Sequence, residues 1–171
     1  MTLRRGAFLD RDGVLNERPP EHDYVRAVDD LVLLPGAAEA IAELAAAGWV
    51  PVVVSNQRGV ARGLVSWETL RAIEEVLVEA AGTPIRFYYC PHDHADACPC
   101  RKPAPGMLLD AARDLGLDLA ASVMVGDSES DVEAGKAAGT RTIRVGPAGT
   151  ETAADALADS LAAAARLILG S

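Results

Sequence analysis

Five short apolar runs alternate with alanine-rich segments of helical spacing, and this alternation constrains the fold of the 171-residue chain more than any other feature. The runs lie at 6–9, 49–54, 85–89, 122–125 and 141–145. Residues 49–54 are almost continuously apolar, as expected for a parallel strand covered on both faces; a strand wetted on one face would alternate. Helical spacing predicts helices over 36–47, 66–82, 106–115 and 131–138, with Ser66 as an N-cap and Gly48, Gly82 and Gly139 as stops. A long final helix is expected over 153–169, because Leu157, Leu161, Ala164, Leu167 and Ile168 form one stripe. Strand and helix in alternation predict an α/β fold: a three-layer, Rossmann-like open parallel sheet. The length suits one domain, 1–171, with a sizeable core. Both tryptophans, Trp49 opening a strand and Trp67 in a helix's first turn, read as packing residues.

Charge and cysteine usage narrow the function classes. A formal net charge of −9 argues against nucleic acid or an anionic membrane as the partner. No apolar run is long enough to span a bilayer, and Arg4-Arg5 leads directly into strand and acid residues rather than into a signal peptide. A cytoplasmic monomer acting on a small molecule is the expectation. All three cysteines fall in one short stretch, which suits a metal site better than a disulfide framework.

In an open parallel sheet, ligands bind beyond the carboxyl ends of the strands. The first strand ends in Asp10-Arg11-Asp12-Gly13, the second in Ser55-Asn56-Gln57 and the fourth in Gly126-Asp127-Ser128-Glu129-Ser130-Asp131. Arg101-Lys102 stands just before the third helix. Asp10 and Asp12, one residue apart, can lean the same way off the strand end, and carboxylates so crowded call for a cation or a shared proton. A solvated turn explains Asp and Gly at one strand end, but not a matching set at three. These residue types suit phosphoryl transfer, which needs an in-line nucleophile, a cation on the phosphate oxygens and fixed donors for the remaining charge. Asp10 fits the nucleophile, Asp12 the acid that protonates the leaving oxygen and Asp127 a further oxygen ligand for Mg²⁺, while Ser55 and Lys102 hold the phosphoryl oxygens.

Cys90-Pro91-His92-Asp93-His94-Ala95-Asp96-Ala97-Cys98-Pro99-Cys100 offers Cys-x-His and Cys-x-Cys pairs joined by a short loop, the ligand types of a closed tetrahedral Zn²⁺ site. His94 competes for the fourth place; His92 is preferred because Cys90 and His92 then mirror Cys98 and Cys100. With no open position such a zinc is structural, and its task would be to order the loop presenting Arg101 and Lys102.

Asp10-Arg11-Asp12-Gly13, Ser55, Lys102 and Gly126-Asp127 with Asp131, each set in order after an apolar strand, resemble the four motifs of the haloacid dehalogenase superfamily phosphatases. The resemblance implies an aspartyl-phosphate intermediate on Asp10, with Asp12 as general acid and then base. It also implies Mg²⁺ on Asp10, the backbone carbonyl of Asp12 and Asp127, with Asp131 supporting from behind. The zinc loop is similar to that of the branch acting on heptose bisphosphate and histidinol phosphate. Residues 56–63, 101–107 and Tyr24-Val25 match its heptose members; the five-residue gap between His92 and Cys98 is closer to its histidinol-phosphate members. Heptose 1,7-bisphosphate is therefore the first expectation and histidinol phosphate or another small sugar phosphate the alternative. Asn56, Gln57, Arg101, Lys102, Tyr24 and Ser128 are the substrate-binding residues this resemblance implies. The spans from Asp12 to Ser55 and from Ser55 to Lys102 leave no room for a cap domain, so the 17–30 and zinc loops are expected to wall the site. A non-catalytic zinc-stabilised module would leave the intact Asp10 and Asp12 without a task; a phosphotransferase or phosphomutase would use the same aspartyl-phosphate, but those usually carry a cap to keep water from the intermediate.

Overall fold

The computed structural model describes residues 3–170. They form a six-stranded, wholly parallel sheet: β1 (Arg5–Leu9), β2 (Trp49–Asn56), β3 (Arg86–Cys90), β4 (Val123–Gly126), β5 (Arg141–Val145) and β6 (Ala156–Ala158). The strand order is β3-β2-β1-β4-β5-β6. The chain moves outward from β1 to β3, returns to lay β4 on the free edge of β1, and then moves the other way. The carboxyl ends of β1 and β4 therefore flank the point where the winding reverses, and loops diverging there open a crevice.

Side-chain alternation along the strands divides the core into two layers. Ala7, Leu9, Val53, Val123, Val125, Ile143 and Val145 face helices α1 (Ala37–Ala46), α3 (Trp67–Ala81) and α6 (Leu161–Leu169). Phe8, Val52, Val54 and Met124 face α4 (Gly106–Leu115) and α5 (Glu129–Ala138) through Met107, Leu108, Ala111 and Ala134. Small alanines let these helices lie close on the sheet, which is how a core so poor in aromatics closes. Ser66 caps α3 as expected, its side chain accepting from Thr69 N at 3.0 Å. A four-residue turn, α2 (Arg58–Ala61), directly follows β2. Among the described residues no cap domain interrupts the span between β1 and β2 or that between β2 and β3.

The C-terminal helix is shorter than its stripe predicts. Residues 153–160 do not join it, and Leu157 lies on β6, paired in parallel with β5 from Ile143↔Ala156 to Val145↔Ala158. Asp155 is the cause. Its Oδ2 accepts from the backbone N–H and the hydroxyl of Thr142, at 2.8 and 2.9 Å, and its own N–H donates back to Thr142 Oγ1 at 3.2 Å. This clasp binds the segment to the open edge of β5, and the helix starts only after Ser160, whose side chain caps Ala163 N. Trp67 also departs from expectation: it is 45% exposed, with its ring tilted toward Tyr89 at 6.3 Å.

Candidate active site

The strand-end residues converge on one cavity of about 580 Å³ beside the β1–β4 switch point. Asp10, Asp12, Ser55, Asn56, Gln57, Arg101, Lys102, Tyr24, Ser128 and Asp131 all line it. Asp127 meets the same centre, its carboxylate within 4.8 Å of those of Asp10 and Asp131.

Lys102 organises the floor. Its buried Nζ donates to Asp10 Oδ1 at 2.9 Å, Asp131 Oδ1 at 2.6 Å and the Val54 carbonyl at 2.9 Å, using all three protons. The two acids raise its pKa against the opposing effect of burial, so it stays charged. Asp10 is pushed up to about 8, by burial first and then by Asp131 and Asp127, with Lys102 pulling the other way. An anionic nucleophile here needs more positive charge than one lysine supplies. Three carboxylates within 4.8 Å of one another offer that place, and hard oxygens are the ligands Mg²⁺ prefers.

Asp131 is already engaged. Besides Lys102, its Oδ2 accepts from the Ser128 backbone N–H at 3.0 Å and the Ser128 hydroxyl at 2.8 Å, closing the box that starts α5. Asp131 thereby braces both Lys102 and the start of α5, and Ser128 is drawn into capping. Asn56 is likewise a clamp: its side chain accepts from Lys102 N at 3.0 Å and donates to Lys102 O at 3.1 Å. Gln57 Nε2 donates to Ser55 Oγ at 2.9 Å and approaches Asp12 Oδ2 at 3.4 Å. Gly13 has φ +87°, and a Cβ built there would collide with the Asp127 carboxylate, so only glycine lets the acid approach.

Three arginines carry weight that sequence reading did not give them. Arg11 is fully buried against Asp12. Arg18, from the 17–30 loop, forks onto Asp127 with Nε–Oδ2 at 2.8 Å and Nη2–Oδ1 at 2.6 Å, and its own pKa rises through that hydrogen bonding. Arg58 donates Nε to Tyr24 Oη at 3.3 Å, and its Nη1 is 3.7 Å from Asp93, which Arg62 also holds at 3.2 Å. Arg58 thereby ties the 17–30 loop to the zinc loop. His22 is exposed beside Glu21 on the cavity rim, a solvated loop histidine as far as its contacts go.

The zinc cluster is assembled as spaced. Cys90, His92, Cys98 and Cys100 each offer one atom within 4.8 Å of the others. Adjacent donors are 3.2–3.5 Å apart: Cys90 Sγ to His92 Nδ1 and Cys98 Sγ, and Cys100 Sγ to His92 Nδ1 and Cys98 Sγ. Those separations approach the edges of a tetrahedron around an ion with bonds of about 2.0–2.3 Å. His94 turns away, accepting from Arg101 Nη2 at 3.1 Å. Burial and the neighbouring sulfurs push Cys100 up to about 12, whereas hydrogen bonds from Cys100, Cys90 and nearby backbone outweigh burial and bring Cys98 down to about 7. A Cys₃His donor set at these separations is consistent with Zn²⁺.

A family model described as haloacid dehalogenase-like hydrolase matches residues 3–139. The chain belongs to that family. Among curated relatives, D-glycero-beta-D-manno-heptose-1,7-bisphosphate 7-phosphatase of Photorhabdus laumondii is 41% identical, covering 95% of this chain and 94% of the relative. The crystal structure of the D,D-heptose 1,7-bisphosphate phosphatase of Bordetella bronchiseptica, complexed with magnesium and phosphate, superposes with a TM-score of 0.84 at 37% identity over 97% of this chain and 98% of that one. The Burkholderia thailandensis D,D-heptose 1,7-bisphosphate phosphatase gives 0.70 at 31% identity over 98% and 100%. As a haloacid dehalogenase-like hydrolase, the chain presents its acidic motifs at the strand ends where the cavity opens. No helix among the described residues is long and apolar enough to cross a membrane.

Proposed function

We propose that this hydrolase is a Mg²⁺-dependent phosphomonoesterase of the cytoplasm, a single phosphatase domain acting as a monomer on D-glycero-D-manno-heptose 1,7-bisphosphate at the 7-phosphate. The observation that carries the reading is the convergence of Asp10, Asp12, Ser55 and Lys102 on one cavity at the switch point. Close similarity to heptose bisphosphatases over nearly the whole chain supports the choice of substrate. The cavity lining supports it too. Arg18, Arg58, Arg101 and His94 surround the acidic floor with positive charge and donors, which suits a sugar carrying two phosphates.

Asp10, the Asp12 backbone carbonyl and Asp127 would hold Mg²⁺, which when bound offsets phosphate charge and keeps Asp10 anionic. The protein's own groups do the rest. An Asp10 oxygen attacks phosphorus, forming the acyl phosphate as the ester P–O bond breaks. Asp12 delivers its proton to the departing sugar oxygen. Ionised Asp12 then takes a proton from water as that water attacks phosphorus, which frees inorganic phosphate, restores the Asp10 carboxylate and reprotonates Asp12. Ser55 donates its hydroxyl to a phosphoryl oxygen, and the Lys102 charge offsets that of the phosphoryl group, one of its three N–H donors moving from a carboxylate to a phosphoryl oxygen. Arg101 and Tyr24 contact the substrate from the loops, with Asn56, Gln57 and Ser128 setting the positions of Lys102, Ser55 and Asp131. Cys90, His92, Cys98 and Cys100 would hold Zn²⁺, which when bound would order the loop that presents Arg101 and Lys102.

Phosphate release with Mg²⁺, compared over heptose 1,7-bisphosphate, histidinol phosphate and simple sugar monophosphates, tests the reading. The bisphosphate should show the highest kcat/KM. A preference for histidinol phosphate reverses the substrate choice, and no release from any ester supports a non-catalytic module.

A further inference from the structure

A fully buried arginine beside a catalytic aspartate calls for explanation. Arg11 lies between Asp10 and Asp12 in sequence, yet its side chain is 0% exposed. Among the described residues its one ion pair is with Asp12. Both Nε and Nη2 donate to the same oxygen, Asp12 Oδ1, at 3.0 and 2.9 Å, and Nη1 is buried with no partner. Asn16 Nδ2 adds a third donor to Oδ1 at 3.0 Å. The other oxygen, Oδ2, meets only the long contact from Gln57 at 3.4 Å.

Stability does not account for this arrangement. A buried ion pair returns little over its desolvation cost, and well-packed apolar side chains of similar volume often serve the fold as well or better. The bonding is also lopsided, with three donors on one oxygen and almost none on its twin, although an arginine fork more commonly spans both. Asp12 is thus held by one oxygen, with the other left for proton exchange at the cavity.

We propose that Arg11 is a positioning residue for the general acid: it anchors Asp12 by Oδ1 and so aims Oδ2 at the leaving-group oxygen. Asn16 completes the anchor. The inference rests on the reading of the site as an aspartyl-phosphate phosphatase. In the first half-reaction the proton on Asp12 Oδ2 passes to the sugar oxygen as the P–O bond breaks and the Asp10–phosphorus bond forms. Without the anchor Asp12 remains but samples orientations that miss this oxygen.

The test is leaving-group dependence. A sugar alkoxide is a poor leaving group and needs the proton, whereas p-nitrophenolate departs unprotonated. kcat/KM reports the steps through aspartyl phosphorylation for both substrates. Arg11→Met is expected to lower kcat/KM for heptose 1,7-bisphosphate by about 100-fold, toward the low end of what general acids contribute, and for p-nitrophenyl phosphate by less than about 5-fold. Arg11→Lys keeps the charge but cannot fork two nitrogens onto one oxygen; it should show the same selectivity at smaller size, and it decides the matter if Arg11→Met does not fold. Equal losses on both substrates, or no loss on either, would overturn the proposal. Failure of the underlying reading looks different: the wild-type protein itself would then release phosphate from neither ester.

Discussion

Removing Arg18 should tighten the binding of Mg²⁺. In the structure both Asp127 oxygens are held by one guanidinium, at 2.6 and 2.8 Å, and Asp127 is the acid assigned to the metal from the β4 end. A divalent ion must take at least one of those oxygens, so ion and arginine compete. The size of the competition follows from exposure. Charge-assisted pairs of this geometry are strong when buried, but the Arg18 side chain is 56% exposed and that of Asp127 15%, so solvent screens much of the attraction. About 1 kcal/mol is a fair value for such a pair, which corresponds to roughly a fivefold change in Kd. Arg18→Ala should therefore bind Mg²⁺ about fivefold more tightly in calorimetric titration at moderate ionic strength, and the difference should shrink as salt is raised. A mutant with unchanged or weaker affinity would refute the competition. Turnover should not improve in parallel, because Arg18 also lines the cavity and its charge is lost to the substrate phosphates.

Further consequences concern the zinc loop, the titration of Asp10 and the turn at Gly13. Cys98→Ser should lose about one equivalent of zinc by elemental analysis and most activity, because Arg101 and Lys102 follow the cluster directly; unchanged zinc and turnover would contradict a structural zinc site. Asp10 has a folded pKa of about 8, above its ordinary value, so with Mg²⁺ chelated the folded protein binds a proton that the unfolded chain has released. The contribution of Asp10 to stability should then fall as pH rises from about 4 to about 8, and saturating Mg²⁺ or Asp10→Asn should flatten the slope of Tm against pH. Gly13→Ala puts a methyl group on Asp127 at a φ of +87° and should weaken Mg²⁺ binding and cut kcat at least tenfold, measured by titration and steady-state kinetics.

What sequence made legible was whatever depends on strand ends. Asp10, Asp12, Ser55 and Asp127 could be placed on one rim because a parallel sheet carries all its carboxyl ends to the same side, Lys102 joined them from the loop after β3, and the cysteine pairs carried their own spacing. Contacts set by side-chain direction were hidden. Arg11 reads as a rim residue between two acids, and only its burial reveals it as the anchor of Asp12. Arg18 reaches Asp127 across more than a hundred residues, from a loop without periodicity. Asn56 and Ser128 line the cavity with polar termini that suit a substrate, and their bonds to Lys102 and Asp131 were not visible in the sequence. The alanine-rich segment before α6 has helical composition, but the clasp between Asp155 and Thr142 makes it the edge strand β6, an instance of tertiary pairing overriding local propensity.

The central claim is that Asp10 carries the phosphoryl group, and trapping the phosphoenzyme tests it most directly. Protein quenched in acid within milliseconds of mixing with Mg²⁺ and heptose 1,7-bisphosphate should yield, after pepsin digestion, a phosphorylated peptide containing Asp10. The label should be labile to hydroxylamine and absent from Asp10→Asn. Turnover without a covalent phosphoenzyme, a label on another residue, or full activity in Asp10→Asn would contradict the account.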